Sequence, residues 1–508
     1  MIDVQVREQH ELHRRKLVRG QRGRRDARHD HHGAAQIRVG ENESVPEADQ
    51  DRRVTDPDDA QCRARVVPRQ AADRGLLAGA RARSEQAGEQ SGVQELAHTC
   101  QLAAEITGAH HVHVLRLLAS LACLWLAACF GRSSPKGEFR LDRAAIAPQD
   151  FDNALFQTVG VQLRPGNQVE VVNNGRVFDV AIEEIARARS SIHVVSFIWS
   201  EGKVSSRIVT ALAGRTRDGV PCRVIVDALG SPNFANVQKQ LEGIGCATHR
   251  FRPIPGQDDA AREHRKMFIL DGRVGITGGF GIDDKWDGDG RTDQPPQWRD
   301  SNLLVRGPAV LEMQQAFAES WEEATRTLLP RDTFPASEDA GRSLAAFVSS
   351  SENSVATRSD RLTQLLIGAA RKRLWISNAY FVPSVPILDL LMRKAREGVD
   401  VRVLAAGERT DTKAYLSQQR ARMDQLVGAG VKAYEYGPTM MHSKFMVVDE
   451  RITAVGSTNL DALSLNKLNE GTVVVVDENL AQREAAVFLE DLALSKEVGS
   501  SKARVTTR

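Results

Sequence analysis

Two segments of the sequence carry the same residue types at the same spacing. Each has a histidine, then a lysine, then an aspartate, and each ends at a glycine. An imidazole can attack phosphorus or exchange a proton, and an ammonium group can bind the oxygens of a phosphate. The pattern therefore indicates chemistry on a phosphate ester. It comprises His264, Lys266, Asp271 and Gly278 in the first segment and His442, Lys444, Asp449 and Gly456 in the second, each matching pair being 178 residues apart.

The second segment includes two short apolar runs, at 445–448 and 453–455, that predict adjacent strands joined by a tight turn. Because successive side chains of a strand point to opposite faces, His442 and Lys444 are expected on one face. Asn459 follows the second run and adds a carboxamide donor. One nucleophile or acid and several donors are thus expected in one place.

Two copies of the pattern H-x-K-x4-D-x6-G-[GS] resemble the phospholipase D superfamily, whose bacterial members include cardiolipin synthases and related phosphatidyltransferases. A single histidine in a strand is more often a packed or surface residue, but two copies at equal spacing make chance a poor explanation. The resemblance covers roughly residues 150 to 495. It implies two lobes with a single active site at their interface, so that neither half carries a complete site.

The resemblance also implies roles for the two histidines. One forms a phosphohistidine, and the other protonates the leaving group and then deprotonates the incoming alcohol or water. These roles are carried to His264 as nucleophile and His442 as acid and base, although the similar motifs allow the roles to be exchanged. A carboxylate usually holds the second nitrogen of such a ring. Glu470 matches the acidic residue of the family, and Asp300 is its counterpart in the first lobe.

The phosphate oxygens are expected to be bound by Lys266, Lys444 and Asn459, with Ser457 donating nearby. The first motif departs from the family at one position, because Gly281 stands where the second has Asn459. The first lobe therefore lacks one carboxamide donor, and symmetric phosphate contacts are not expected.

Asp271 and Asp449 complete the motifs and are counted with the catalytic residues. We nevertheless expect them to fix the strand-turn geometry and to pair with basic neighbours rather than to touch substrate. Neither a metal ion nor a cofactor is expected, because two histidines and two lysines supply the groups that phosphodiester exchange needs. The acidic segment 283–293 fails the pattern of a calcium-binding loop and is interpreted as a solvated insertion that rims the pocket.

The elements around the motifs predict an α/β fold built from a duplication. Apolar strands alternate with amphipathic helices from Pro148 onward, and their order in the first half recurs in the second. We expect two lobes related by a pseudo-twofold axis, each a mixed β-sheet flanked by helices. The predicted divisions are lobe 1 at 148–327, a linker at 328–360, lobe 2 at 361–495 and a tail at 496–508. The predicted strands are 192–199, 222–227, 374–381, 401–405 and 431–436, and the predicted helices are 205–217, 237–244, 387–397 and 414–427.

Further local similarity to the bacterial members lies in 378–383, a strand end that lines the pocket there, and in Trp298-Arg299-Asp300. We interpret Trp298 and Trp321 as core-packing residues rather than as substrate contacts.

The first part of the chain differs from the rest. Residues 1–110 have no aromatic residue and carry 17 Arg against the single Lys16, and such a segment cannot bury much apolar area. We interpret 1–113 as disordered or, preferably, as upstream sequence translated from a start site placed too early. An apolar run then ends at Leu126-Ala127-Ala128-Cys129, which resembles a bacterial lipobox with Cys129 lipidated. Segment 114–130 is thus a signal peptide or a membrane anchor, and a periplasm-facing envelope lipoprotein is expected.

Composition excludes little by itself. The net charge of +2 indicates no special partner, and no aromatic-basic strip for nucleic acid is present. The leading interpretation is a membrane-associated phosphatidyltransferase of cardiolipin synthase type, acting on phosphatidylglycerol or a similar phospholipid at a membrane surface. Hydrolysis by the same site is the alternative, and a non-catalytic lipid-binding lipoprotein is a third. The sequence does not indicate an oligomeric state.

Cys222 and Cys246 are the only cysteines after Cys129 and open two strands expected to be neighbours. They are either small buried apolar residues or, if the chain is exported, a disulfide.

Overall fold

The computed structural model describes residues 139–141, 148–253, 261–353 and 355–499. Within these ranges the chain forms one continuous sheet of fifteen strands. The strands are β1 Arg164–Asn173, β2 Ile192–Ser196, β3 Cys222–Asp227, β4 Cys246–Phe251, β5 Met267–Leu270, β6 Val274–Gly278, β7 Ser301–Arg306, β8 Ser343–Ser350, β9 Arg373–Asn378, β10 Asp400–Ala406, β11 Lys432–Tyr436, β12 Lys444–Val448, β13 Ile452–Gly456, β14 Glu470–Val476 and β15 Ser495–Glu497.

The helices of the described ranges lie between these strands. They are α1 Phe151–Val159, α2 Arg176–Arg187, α3 Lys203–Arg217, α4 Ala235–Gly243, α5 Val310–Thr325, α6 Arg358–Ala369, α7 Val385–Arg396, α8 Lys413–Gly428, α9 Ala462–Asn466 and α10 Glu478–Ala493. Short 3-10 turns occupy Pro148–Asp150, Asp284–Trp286 and Arg331–Thr333.

The order of the strands confirms the predicted pair of similar lobes. It runs β15-β11-β10-β9-β12-β13-β14-β8 and continues β1-β7-β6-β5-β2-β3-β4, so the second half repeats the first in reverse. In each lobe three strands are parallel to one another, and the motif strands pair antiparallel beside them. β1 and β8 are equivalent strands and pair antiparallel at the centre. A pseudo-twofold axis between them relates the two mixed halves of the sheet.

One helix of each lobe also packs across this axis. α5 follows the last strand of the first lobe and packs on β4 and β5 of its own lobe and on β8 of the second. α10 follows β14 and packs on β12 and β13 of its own lobe and on β1 of the first. One hydrophobic core therefore continues from one lobe into the other. Burial of apolar surface on both sides of the axis is a large favourable term, which fixes the lobes against each other.

Three predicted boundaries need correction. The segment 328–360 is not an irregular linker, because it contains β8, which is bonded on both sides at the centre of the sheet. α1 lies within the predicted range of lobe 1 but packs against α6 in the core of lobe 2. The tail predicted from 496 begins inside β15, which pairs with β11. Segments 1–113 and 114–130, with Cys129, lie outside the described residues.

Cys222 and Cys246 form a disulfide between the first residues of β3 and β4, with Cα atoms 4.6 Å apart. In the described part of the chain, we find no helix with the length and hydrophobicity required to span a bilayer.

Candidate active site

Each motif histidine is placed by a backbone contact with the other lobe. The His264 N–H group donates to the carbonyl of Asn469 at 2.9 Å, and the His442 N–H group donates to the carbonyl of Arg299 at 2.7 Å. The acceptors directly precede Glu470 and Asp300 in the chain. The lobe interface thus brings each histidine beside the carboxylate of the opposite lobe.

The two histidine–carboxylate pairs are crossed. His264 Nδ1 lies 2.8 Å from Glu470 Oε1, and His442 Nδ1 lies 2.9 Å from Asp300 Oδ2. All four side chains are buried. When Nδ1 carries the hydrogen that the carboxylate accepts, Nε2 is the nitrogen left for substrate. The sequence paired neither histidine with a particular carboxylate, because the pairing depends on how the lobes dock.

A lysine lies beside each histidine on the same strand face. Lys266 Nζ donates to the His264 carbonyl at 2.5 Å, and Lys444 Nζ lies 3.0 Å from His442 Nε2. Burial lowers the pKa of Lys266 to about 7 and that of Lys444 to about 8, despite the nearby carboxylates. An anionic phosphate between the two ammonium groups would favour their charged forms. The pair therefore suits a phosphodiester.

The two imidazoles are electrostatically unequal. Burial lowers the pKa of His264, and the facing Glu470 carboxylate opposes that shift. Burial also lowers the pKa of His442, and the charges of Lys444 and Lys266 lower it further. A neutral ring is the form that can act as a nucleophile.

Glu470 is held ionised by several donors. Ser457 and Ser464 both donate their hydroxyl hydrogens to its carboxylate. Burial would raise the pKa of Glu470, but His264, Lys266 and Ser457 together hold it below its usual value. Ser457 was predicted to bind substrate phosphate. In the structure its hydroxyl donates to Glu470.

Asn459 is buried and lies next to Ser464, which donates to Glu470. Its backbone N–H group donates to Ser464 Oγ at 2.8 Å, which fixes the residue, and its side-chain Oδ1 is buried without a hydrogen-bond partner in the described part of the chain. At Gly281, the equivalent position of lobe 1, an added Cβ would lie 2.8 Å from the ring of Trp286. An asparagine does not fit there.

Trp286 occupies that space and takes part in the site. It is 1% exposed, and its indole N–H donates to Asp300 Oδ2 at 3.0 Å. Its ring and that of Trp298 pack against His442 with centroids 5.1 and 5.2 Å away. Burial raises the pKa of Asp300 to about 6, and Lys444 and Trp286 limit the rise.

The sequence analysis missed this role of Trp286. The segment 283–293 was interpreted as a solvated insertion, whereas Trp286 within it is buried. Trp298 lies in the core as predicted and also contacts the His442 ring. A signal was available, since Trp286 precedes Ser464 by the same 178 residues that separate the motifs. Both residues donate to the carboxylate of their own lobe.

Asp271 and Asp449 lie at the ends of β5 and β12 that are remote from the histidines. Each carboxylate accepts backbone N–H groups of the loop before a neighbouring strand, at 189–191 and 371–373. Both residues have a φ of +55°, in the left-handed region. They fix the strand-turn geometry, as the sequence predicted. Their partners are mainly backbone amides rather than the basic side chains that were predicted.

Among the described residues, no group of three or more His, Cys, Asp or Glu side chains is arranged to hold a metal ion.

Two pseudo-symmetric lobes that each supply a histidine and a lysine to one buried site define an enzyme of the phospholipase D superfamily. The chain belongs to the family described as "Cardiolipin synthase, PLD-like domain", whose model matches residues 181–321 and 364–492. It is accordingly a phosphatidyltransferase or phosphodiesterase.

The chain is similar to cardiolipin synthase A of Pseudomonas putida, with 31% identity over 348 residues that cover 67% of this chain and 72% of the relative. It is also similar to cardiolipin synthase 1 of Bacillus anthracis, with 31% identity over 325 residues that cover 61% of this chain and 63% of that protein. Among solved structures, phosphatidylserine synthase of Haemophilus influenzae Rd KW20 has a TM-score of 0.53 and 14% identity, covering 68% of this chain and 91% of that one. This last likeness shows the fold.

Proposed function

We propose that the chain is a membrane-associated phosphatidyltransferase of cardiolipin synthase type, which joins two phosphatidylglycerols and releases glycerol. The observation that supports this most is the crossed arrangement, in which His264 and His442 each bond a carboxylate of the opposite lobe with a lysine alongside. Exchange of one phosphodiester for another is nearly balanced in energy, so no nucleotide is needed.

In the first step, His264 Nε2 attacks the phosphorus of the donor lipid. The new P–N bond forms as the bond to the headgroup glycerol oxygen breaks. The anionic phosphate favours the cationic form of His442, and this protonated ring gives its Nε2 proton to that oxygen. Lys266, Lys444 and Asn459 donate to the remaining phosphate oxygens as charge moves onto them. The ionised Glu470 accepts the Nδ1 hydrogen of His264 and stabilises the positive charge that the ring acquires.

In the second step, a hydroxyl of the acceptor lipid attacks the same phosphorus. His442 now takes the hydroxyl proton, the P–N bond breaks, and neutral His264 is regenerated. A partner with a pKa of about 6, such as Asp300, suits a ring that alternately gains and loses a proton near neutral pH.

The roles of the histidines can be separated by substitution. We expect His264→Ala and His442→Ala each to abolish turnover. With a p-nitrophenyl phosphodiester, whose leaving group needs no acid, His442→Ala should still form a phosphorylated residue 264, detectable by mass spectrometry of the acid-quenched protein. His249→Ala is the matched control, because His249 packs against Trp321 outside the site. Labelling of residue 442 in the His264→Ala protein would show that His442 is the nucleophile. Turnover of either alanine variant above a few per cent of the wild-type rate would exclude the two-histidine mechanism.

Transfer and hydrolysis are distinguished by product. Purified protein incubated with phosphatidylglycerol vesicles should give cardiolipin and glycerol. If phosphatidic acid is the main product, the enzyme is a phospholipase D-type hydrolase that uses the same site. If the protein binds the vesicles but forms neither product, it is a lipid-binding protein without this activity.

Export and lipidation are a further part of the proposal. The disulfide between Cys222 and Cys246 supports them, because such bonds persist in oxidising compartments such as the periplasm. Radiolabelled palmitate should enter the protein expressed from residue 114 onward and be lost in Cys129→Ala. Label that persists in the alanine variant would contradict lipidation at this position.

A further inference from the structure

We propose that Lys285 binds a second phosphate, that of the acceptor lipid, in a subsite beside His442. This inference rests on the proposed transfer to an anionic phospholipid. Phosphatidylglycerol carries a phosphate as acceptor as well as donor, and the two phosphates of the complex repel each other. The first phosphate is bound by Lys266, Lys444 and Asn459, so the second needs a cation of its own.

Lys285 is placed against the rings that cover His442. Its Nζ lies 4.6 Å from the ring centroid of Trp298 and 5.1 Å from that of Trp286. Two backbone hydrogen bonds fix the residue, since its N–H group donates to Asp283 Oδ1 at 3.0 Å and its carbonyl accepts from the Trp298 N–H group at 2.6 Å. The lysine side chain thus packs on the same two indole rings that contact the His442 imidazole.

The charge of Lys285 is available to a ligand. The side chain is 31% exposed, and its ion pair with Asp283 is long, with 4.0 Å between Nζ and Oδ2. Among the described residues, none accepts a hydrogen bond from its ammonium group. After burial and the two motif lysines, Lys285 is among the charges that lower the pKa of His442, which places its charge within electrostatic range of that ring. A partly exposed lysine that packs on aromatic rings can bind a phosphate through the charge of its ammonium group.

The position is not symmetric, and the asymmetry matches the reaction. The residue of lobe 2 at the same 178-residue offset is Leu463, which is apolar and 43% exposed. The extra cation is therefore on the side of His442, the ring that takes the proton from the incoming hydroxyl. In phosphatidylglycerol that hydroxyl is joined to the phosphate by one glycerol unit, so a hydroxyl at His442 carries its phosphate into the neighbourhood of Lys285.

The test compares acceptors with and without a phosphate. Phosphatidyl-p-nitrophenol serves as donor, nitrophenol release reports the first step, and the acceptor is either phosphatidylglycerol in neutral vesicles or ethanol. We expect Lys285→Gln to lower the ratio of transfer to phosphatidylglycerol over transfer to ethanol by about tenfold, mainly through the KM of the lipid, because a charge-assisted hydrogen bond is lost. Lys285→Arg should restore much of this ratio.

Lys203→Gln is the matched control, because Lys203 is an exposed lysine of lobe 1 whose backbone N–H group donates to the neighbouring Asp284. It should leave the ratio unaltered. A ratio within twofold of wild type in Lys285→Gln, or an equal loss with both acceptors, overturns the subsite and leaves the transferase intact. If wild-type enzyme transfers to ethanol but makes no cardiolipin, the proposed function fails, and the subsite fails with it.

Discussion

Glu470 and Asp300 occupy equivalent places in the two lobes but have different donors. Two serine hydroxyls reach Glu470, whereas Asp300 accepts the Trp286 indole N–H and the backbone N–H of Ser301. The consequence is one carboxylate that stays ionised and one whose pKa is raised by burial to about 6. Unequal donors thus give the two similar histidines carboxylate partners of different pKa, in keeping with the different roles proposed for them.

Removal of the indole donor should impair His442. In Trp286→Phe, Asp300 loses a hydrogen bond that favours its charged form, so its pKa should rise further. A carboxylate is ionised only above its pKa, so the acidic limb of the kcat profile should move to higher pH. We expect kcat to fall about tenfold or more at neutral pH, since hydrogen bonds to charged groups contribute about 1.5–3 kcal/mol.

Trp298→Phe is the control for this prediction, because Trp298 also packs against His442 while the Asp300 hydrogen bond comes from Trp286. An equal loss of kcat in both variants without any movement of the acidic limb would show that Trp286 acts through packing alone.

The motif lysines predict the alkaline side of the profile. A lysine is cationic below its pKa and neutral above it, and burial lowers the pKa of Lys266 to about 7 and of Lys444 to about 8. Phosphate binding should therefore weaken as pH rises through this range in the free enzyme. We expect kcat/KM, which reports the free enzyme, to decline above pH 7 to 8 while kcat declines less. A kcat/KM that stays level to pH 10 would show that both lysines keep their charge.

Among the strands and helices, the sequence predicted best those whose hydrophobic pattern matches their burial in the fold. The apolar run at 222–227 forms a strand with the predicted bounds, and the motif strands lie where the spacing put them. β8 was missed because Ser343–Ser350 is rich in serine and alanine, which have weak strand preference. Its neighbours β14 and β1 make it a strand. The crossed histidine contacts were likewise beyond the sequence, because they depend on how the lobes dock.

α1 gives a prediction at this scale. It lies outside the segments that match the family model, yet Leu155 is fully buried in the core of lobe 2. We expect Leu155→Ala to lower the free energy of unfolding by about 2–5 kcal/mol, measured by denaturant titration, because the loss of buried methyl groups leaves a cavity.

Phe156→Ala provides the comparison, since Phe156 follows Leu155 on the same helix but its side chain is 48% exposed. It should change stability by roughly 0.5 kcal/mol or less. If both variants unfold at the wild-type midpoint, α1 does not contribute to the core as described.

At the scale of the whole molecule, one covalent link reinforces the outer strands of lobe 1. Cys222 and Cys246 are 24 residues apart, and closing a loop of this size in the unfolded chain is expected to contribute about 3–4 kcal/mol. The double variant Cys222→Ala/Cys246→Ala should therefore melt several degrees below wild type. Reductant should lower the wild-type Tm and leave that of the double variant unaltered. Two reactive thiols in denatured, unreduced protein would show that the pair is free.

The crossed carboxylates also bear on how such a chain can arise and change. A half-length ancestor that assembled as a twofold dimer would make the same contacts between subunits, so that the histidine of each subunit would bond a carboxylate of the other. Fusion of the two genes would preserve those contacts. Each half would then be free to change as long as the histidine–carboxylate contacts between the halves were kept. Gly281 and Trp286 on one side, against Asn459 and Ser464 on the other, are divergence of this kind.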